Sequence, residues 1–227
     1  MKSIDELNQR LAVLDKHGFD IHQTAILRVE LSLDFWNAPT PLLLALLKSL
    51  KLNESTHNMR LYRGKNDIQF FEIRDNENHR RPAPNTHLEL VDLIEDGYTI
   101  GINHRDSPLA FRAYKKVTDK QGEIQLPVEQ HRLRLEVNVD LKLEGSMLPQ
   151  LGKVIQEVGK NFSFLRLKRS AVLDEQIEFD RFRLHGMAVT PFLDNSRNKR
   201  TVSPIMEPFT DLNDYVRQAI KNLARKF

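Results

Sequence analysis

Two short stretches alternate so strictly that they constrain the fold more than any other feature of the chain. In residues 26–35, Leu27, Val29, Leu31, Leu33 and Phe35 fall on one parity, and Arg28, Glu30, Ser32 and Asp34 on the other. Residues 132–141 repeat the pattern, with Leu133, Leu135, Val137, Val139 and Leu141 opposing Arg132, Arg134, Glu136, Asn138 and Asp140. Successive side chains of a strand point to opposite faces, so each segment is predicted to be a strand with one apolar and one charged face. Both carry Arg-x-Glu-x-x-x-Asp, and aligning Ile26 with Arg132 puts Arg over Arg, Glu over Glu and Asp over Asp. An internal duplication, with two equivalent strands side by side at the centre of a sheet, explains this. So do two ordinary amphipathic strands whose charges pair with their neighbours.

Around these strands the pattern mixes periods. Leu7, Leu11 and Leu14 have helical spacing and Gly18 follows, which predicts a helix over 5–16 with a glycine cap. Thr40 before Pro41 and an apolar run predicts a second helix, with threonine as N-cap and proline at its first position. Residues 59–63 and 68–74 flank Gly64-Lys65-Asn66-Asp67 and read as a hairpin; 98–103 and 109–117 read as another. The segment 75–84 is a polar loop, 87–95 is either strand or helix, and 118–130 is a polar loop with Gly122 and Pro127. Helices are expected at 148–161 and 211–226, the latter capped by Thr210, and strands at 164–168, 177–184 and 187–192. The absence of a βαβ period points to an α+β fold. Its expected form is a mostly antiparallel central sheet of two similar β-rich halves, with helices on one face. Residues 1–170 are expected to form the core and 171–227 a C-terminal extension of the same domain.

With 227 residues, 40% of them hydrophobic and 29% charged, the chain can bury a sizeable core. It has no cysteine, which removes disulfides and thiolate metal sites. The opening residues are too acidic and polar for a secretory signal, and the apolar run at 41–47 is too short to span a bilayer. A cytoplasmic protein without a membrane partner is the expectation. Net charge is +3, which permits nucleic-acid binding without requiring it. The basic residues gather late, at Arg166, Lys168 and Arg169 and again at Arg197, Lys199 and Arg200. Each cluster reads as solvated surface or as a grip on DNA phosphates.

If the two patterned strands adjoin, Glu30, Asp34, Glu136 and Asp140 come together, and clustered carboxylates repel unless a cation neutralises them. Oxygen ligands without cysteine favour Mg²⁺ or Mn²⁺. On residues 109–117, Arg112, Tyr114 and Lys116 share a face. Tyr114 is a candidate nucleophile whose phenolate neighbouring cations would stabilise; its alternative is packing in or over the sheet. The eight histidines are scattered without metal-ligand spacing. Trp36, after the first strand, is read as a core anchor.

Tyr98-Thr99-Ile100-Gly101, His104-Arg105-Asp106-Ser107, Arg112-Ala113-Tyr114-Lys115-Lys116 and Arg134-Leu135-Glu136 in succession resemble the replication initiation factor family. That family comprises rolling-circle initiators of plasmids and filamentous phages, and related conjugative relaxases. The segment from Leu27 to Asp34 is similar to its opening acidic strand, with Glu30 where the family has Asp. The resemblance covers about residues 26–140. It implies a DNA nicking-joining endonuclease in which a tyrosine becomes linked to a 5′ phosphate and frees a 3′ hydroxyl. Carried onto this chain, it makes Tyr114 the nucleophile and puts Glu30, Asp34 and Glu136 around the metal. Arg112 and Lys116 would steady phosphates, and a homodimer is compatible with this reading. Two alternatives stand beside it: a non-catalytic DNA-binding protein on the same fold, and a triphosphate-tunnel phosphohydrolase, whose strands also alternate Arg and Glu.

Overall fold

The computed structural model describes residues 4–18, 20–51, 59–63, 67–69, 87–104, 106–119, 123–141, 145–180, 193–194, 201–202 and 206–227. Both patterned segments are strands: β1 is Arg28–Trp36 and β8 is Arg132–Asp140. Between them in the chain come β2 (Met59–Arg63), β3 (Asp67–Gln69), β4 (Thr99–Ile102) and β5 (Leu109–Lys116). These six form one sheet in the order β1-β8-β5-β4-β2-β3, with every neighbouring pair antiparallel. The two expected hairpins are β2-β3 and β4-β5.

The odd-numbered apolar residues of β1 and β8 lie on the face that the helices cover. There α2 (Pro41–Ser49) lies against β5 and β8, α3 (His87–Glu95) against β5, and α4 (Leu151–Gly159) against β1. The closing helix α6 (Thr210–Ala224) packs on α4. Leu43, Leu47, Ile94, Ile102, Leu135 and Phe164 are fully enclosed in the resulting core. The fold is α+β, as expected. Adjacency of β1 and β8 does not by itself set them in two equivalent halves: β1 forms the sheet's edge, and the pair runs antiparallel.

The N-terminal helix α1 spans Ile4–Lys16, and Gly18 takes φ +77° just beyond it. Residues 87–95, ambiguous in sequence, are helical. Gly97 at φ +87° ends that helix, with its N–H on Ile94 O and the Tyr98 N–H on Leu93 O, a Schellman closure that redirects the chain into β4.

Several expectations are corrected. Residues 177–180 belong to a helix, α5 (Leu173–Asp180). Alternating Ile177 and Phe179 imitated a strand, but Glu175 accepts the Val172 N–H at 2.8 Å and Asp174 and Glu175 occupy the first turn, both favourable at a helix N-terminus. The polar loop at 118–130 contains a small ribbon, β6 (Thr118–Asp119) with β7 (Ile124–Gln125), then a 3₁₀ turn over Val128–Gln130. The expected strand at 164–168 is β9 (Leu165–Leu167), which pairs with β12 (Met206–Pro208) outside the main sheet. Leu193–Asp194 and Thr201–Val202 (β10 and β11) pair as another short ribbon. The expected strand at 187–192 and the polar loop at 75–84 lie outside the described residues.

Neither expected threonine cap forms. The Thr40 hydroxyl is bonded to Glu95 rather than to its own helix. Thr210 is the first residue of α6, whose start is tied to the strand region instead: Asn213 accepts the Phe164 N–H at 2.7 Å and donates to Phe164 O at 2.9 Å.

The α4–α6 contact depends on two glycines. A Cβ on Gly152 would lie 2.7 Å from Ala224 O, and one on Gly159 would lie 2.6 Å from Ile220 Cγ2. Alanine improves helix propensity by about 1 kcal/mol, yet overpacking a close contact costs about 1–3 kcal/mol. At Gly152 the obstacle is backbone, which cannot rotate away. Gly152→Ala is therefore expected to lower stability by up to about 2 kcal/mol net, read from urea denaturation; a more stable variant would refute the close packing.

Candidate functional site

The second face of the sheet collects the charged parity of each strand. Register sets its side chains in rows across β1, β8 and β5: Trp36, Arg132 and Lys116; Asp34, Arg134 and Tyr114; Ser32, Glu136 and Arg112; Glu30, Asn138 and Ala110; and Arg28 with Asp140. Gly101 of β4 extends the Arg112 row. Antiparallel pairing has inverted the match read from the sequence. With the strands running in opposite directions, Asp34 meets Arg134 and Arg28 meets Asp140, so acid faces base.

Glu136 is the centre of the face, only 2% exposed. Its Oε1 accepts the Tyr114 hydroxyl at 2.7 Å and lies 3.5 Å from Arg134 Nη1. Its Oε2 is 2.7 Å from Arg112 Nη2, an ion pair whose angles fall outside hydrogen-bond geometry. The same Arg112 nitrogen contacts Glu30. Asp34 is held apart from these two acids: it receives a bidentate pair from Arg134, at 2.5 and 2.6 Å, and a third bond from Arg132 at 2.9 Å. Lys116 is largely enclosed and lies 3.3 Å from Asp119. Lys115 faces the opposite side, where it pairs with Glu95.

Titration follows this geometry. Burial and the adjacent Glu136 carboxylate push the Tyr114 hydroxyl above the ordinary phenol range, outweighing Arg134 and Arg112. The expectation that neighbouring cations would favour a phenolate is thus corrected; Tyr114 is a phenol at neutral pH. Burial, followed by repulsion from Glu136, raises Glu30, with Arg112 opposing. For Asp34, burial acts upward but the Arg134 and Arg132 bonds overcome it, and the carboxyl lies below its ordinary value of 3.8.

A depressed carboxyl stabilises the fold above its unfolded pKa and loses that contribution as pH falls through its folded value. Asp34→Asn is expected to lower stability by about 1–3 kcal/mol at pH 7. The gap from the parent chain should close only as pH drops below 3.8. Glu30 has the opposite sign: ionising it opposes folding above pH 4.5, so Glu30→Gln should leave the midpoint at pH 7 unchanged or raised. Urea titrations at several pH values check both; an Asp34→Asn gap of constant size down to pH 2.5 would refute the first.

The structure therefore brings Tyr114, Arg112, Glu30 and Glu136 together, and Lys116 lies one row away. No three His, Asp or Glu side chains form a metal-holding group among the described residues. Yet Glu136 Oε2 and Asn138 Oδ1 are buried without hydrogen-bond partners, and Asn138 is the register partner of Glu30. These oxygens suit a hard divalent cation. Of the metal ligands expected from the sequence, Glu30 and Glu136 have Arg112 between them and Asp34 is taken up by arginines, while Asn138 adds an oxygen beside Glu30.

Of the late basic residues, Arg166 pairs with Glu207 at 2.8 Å and stacks over Phe209, on the separate β9-β12 ribbon. Lys168 and the exposed Arg169 follow it; Arg197, Lys199 and Arg200 lie outside the described residues. Two participants were missed as site residues in the sequence. Arg132 and Asn138 share the parity of Arg134 and Glu136, which was the available signal. Trp36 is no core anchor: it is 53% exposed and shares the parity of Asp34.

No helix among the described residues is long and apolar enough to cross a membrane. Compared with known proteins, the chain matches no family model, no curated protein and no solved structure.

Proposed function

We propose that the charged sheet face cleaves one strand of DNA through Tyr114, as a replication initiator or relaxase-like protein would. The observation that carries this reading is the Tyr114 hydroxyl donating at 2.7 Å to the buried carboxylate of Glu136, a nucleophile–base pair within hydrogen-bond reach. Tyr114 rests as a phenol, so attack requires a base. As the Tyr114 oxygen bonds to phosphorus, its proton passes to Glu136 and the bond to the 3′ oxygen breaks. A proton returned to that oxygen gives a free 3′ hydroxyl, leaving the 5′ phosphate on the tyrosine. Arg112 and Arg134 flank the pair and supply positive charge where the phosphoryl oxygens gather it; Lys116 adds a third cation on the same face.

Glu30, Glu136 and Asn138 would hold Mg²⁺ or Mn²⁺, which would polarise the phosphoryl group. Binding there requires Arg112 to leave its place between the two glutamates. Lys168, Arg169, Arg197, Lys199 and Arg200 remain candidates for phosphate contacts. Arg166 is less suited, being engaged by Glu207.

A second reading, a DNA-binding protein without catalysis, draws support from the pairing of Asp34 with Arg134 and of Asp140 with Arg28, because those acids already have a structural use. The test is incubation of the chain with supercoiled and single-stranded DNA plus Mg²⁺ or Mn²⁺. Cleavage by the proposed route yields open circles and a covalent adduct that mass spectrometry maps to the Tyr114 peptide. Salt-sensitive binding with neither product would favour the second reading.

A further inference from the structure

Trp36 is the chain's one tryptophan, and its exposure is unexplained by the core or by the catalytic reading. It ends β1 on the charged face, opposite Arg132, whose guanidinium lies 4.7 Å from the indole centroid. Arg132 is in turn opposite Lys116. The row Trp36, Arg132 and Lys116 therefore runs beside the row that contains Tyr114. Strand spacing and rise put Trp36 about 12 Å from Tyr114 along the face.

A purely structural cation–π contact is the simpler account of Arg132 over the ring. Arg132 is, however, already bonded to Asp34 at 2.9 Å and to Gln130 O at 2.8 Å, so it needs no aromatic partner to be held. With the side chain 53% exposed, a large apolar surface stays in water at the cost that burial would remove. An exposed aromatic ring beside cations on a reactive face has the composition of a single-strand stacking platform, because every base presents a π-face. Arg132 and Lys116 are both ion-paired, with Asp34 and Asp119, so stacking rather than charge would supply most of the affinity.

We propose that Trp36 stacks an unpaired base of single-stranded DNA, holding the strand so that a phosphate a few nucleotides away reaches Tyr114. This rests on the DNA-cleaving reading and specifies how that site takes its substrate. It predicts a preference for unpaired DNA, since a base within a duplex already stacks on its neighbours.

Because Trp36 is the sole tryptophan, intrinsic indole fluorescence reports on this ring alone. Titrating the full chain with an oligothymidine single strand should quench the signal saturably, and the matching duplex should bind at least about tenfold more weakly. Trp36→Ala should weaken single-strand binding by about 5- to 100-fold, measured by anisotropy of a labelled strand. Trp36→Phe should keep most of the affinity. Circular dichroism matching the parent would show that both variants fold. Absent quenching, or Trp36→Ala binding as tightly as the parent, would overturn the platform. Quenching that instead tracks protein concentration and dimer formation would overturn it too, by assigning the ring to a contact between copies. The outcomes separate cleanly from those for cleavage: quenching without a tyrosine adduct sinks only the nuclease reading, and an adduct without quenching sinks only the role of Trp36.

Discussion

Tyr114→Phe is expected to abolish DNA nicking, lowering its rate by at least about a thousandfold, the scale of losing a covalent nucleophile. Phenylalanine keeps the ring and its packing but has no oxygen to attack phosphorus. It also removes the hydroxyl that Glu136 Oε1 accepts at 2.7 Å. That carboxylate then retains Arg134 at 3.5 Å and Arg112 at 2.7 Å, so the fold should lose about 1–3 kcal/mol and remain intact. DNA affinity should stay within a few-fold of the parent, because the surrounding cations are untouched. The comparison is made on supercoiled DNA with Mn²⁺, beside a binding measurement on the same preparations. Nicking that persists unchanged in the variant removes Tyr114 from the chemistry.

Glu136→Ala should produce the largest loss of stability on the charged face. The parent carboxylate is almost fully enclosed, neutralises Arg112 and Arg134, and accepts from Tyr114. Removing it leaves Arg112, Arg132 and Arg134 facing only two carboxylates, Glu30 and Asp34, and takes the acceptor from Tyr114, a loss of about 3 kcal/mol. Glu136→Gln keeps the shape and an acceptor for Tyr114 while losing the charge, and should cost about half as much. Both should be inactive in cleavage for lack of a base. Urea denaturation gives the values. If uncompensated charge is the cause, adding Arg112→Met to Glu136→Ala should recover part of the loss, a coupling that a double-mutant cycle isolates. A Glu136→Ala chain within about 1 kcal/mol of the parent would mean that the carboxylate is not the keystone of this face.

The legible and illegible parts of the fold divide along a physical line. Strands, hairpins and the α+β class could be read because alternation and turn residues act over a few positions. The helix at Leu173–Asp180 was misread because Ile177 and Phe179 alternate, whereas the deciding contact is a glutamate reaching back to Val172. Thr40 and Thr210 had the composition of caps, yet a hydroxyl close to Glu95 and an asparagine bridging to Phe164 took over. Those competitors lie about fifty residues away in sequence, where no local rule reaches.

The site shows the same division. By itself the sequence determined which side chains share the charged face, since period-two parity assigns Arg28, Glu30, Asp34 and Trp36 to one side of β1 and Arg132, Arg134, Glu136 and Asn138 to one side of β8. It could not determine strand direction, because an alternating pattern reads equally well both ways. Tertiary structure chose antiparallel pairing, turned a stack of like charges into acid–base pairs, and put Glu136 beneath Tyr114. Whether a carboxylate repels its neighbour, grips an arginine or takes a proton depends on what stands across the ladder, a few ångströms away in space and a hundred residues away in the chain.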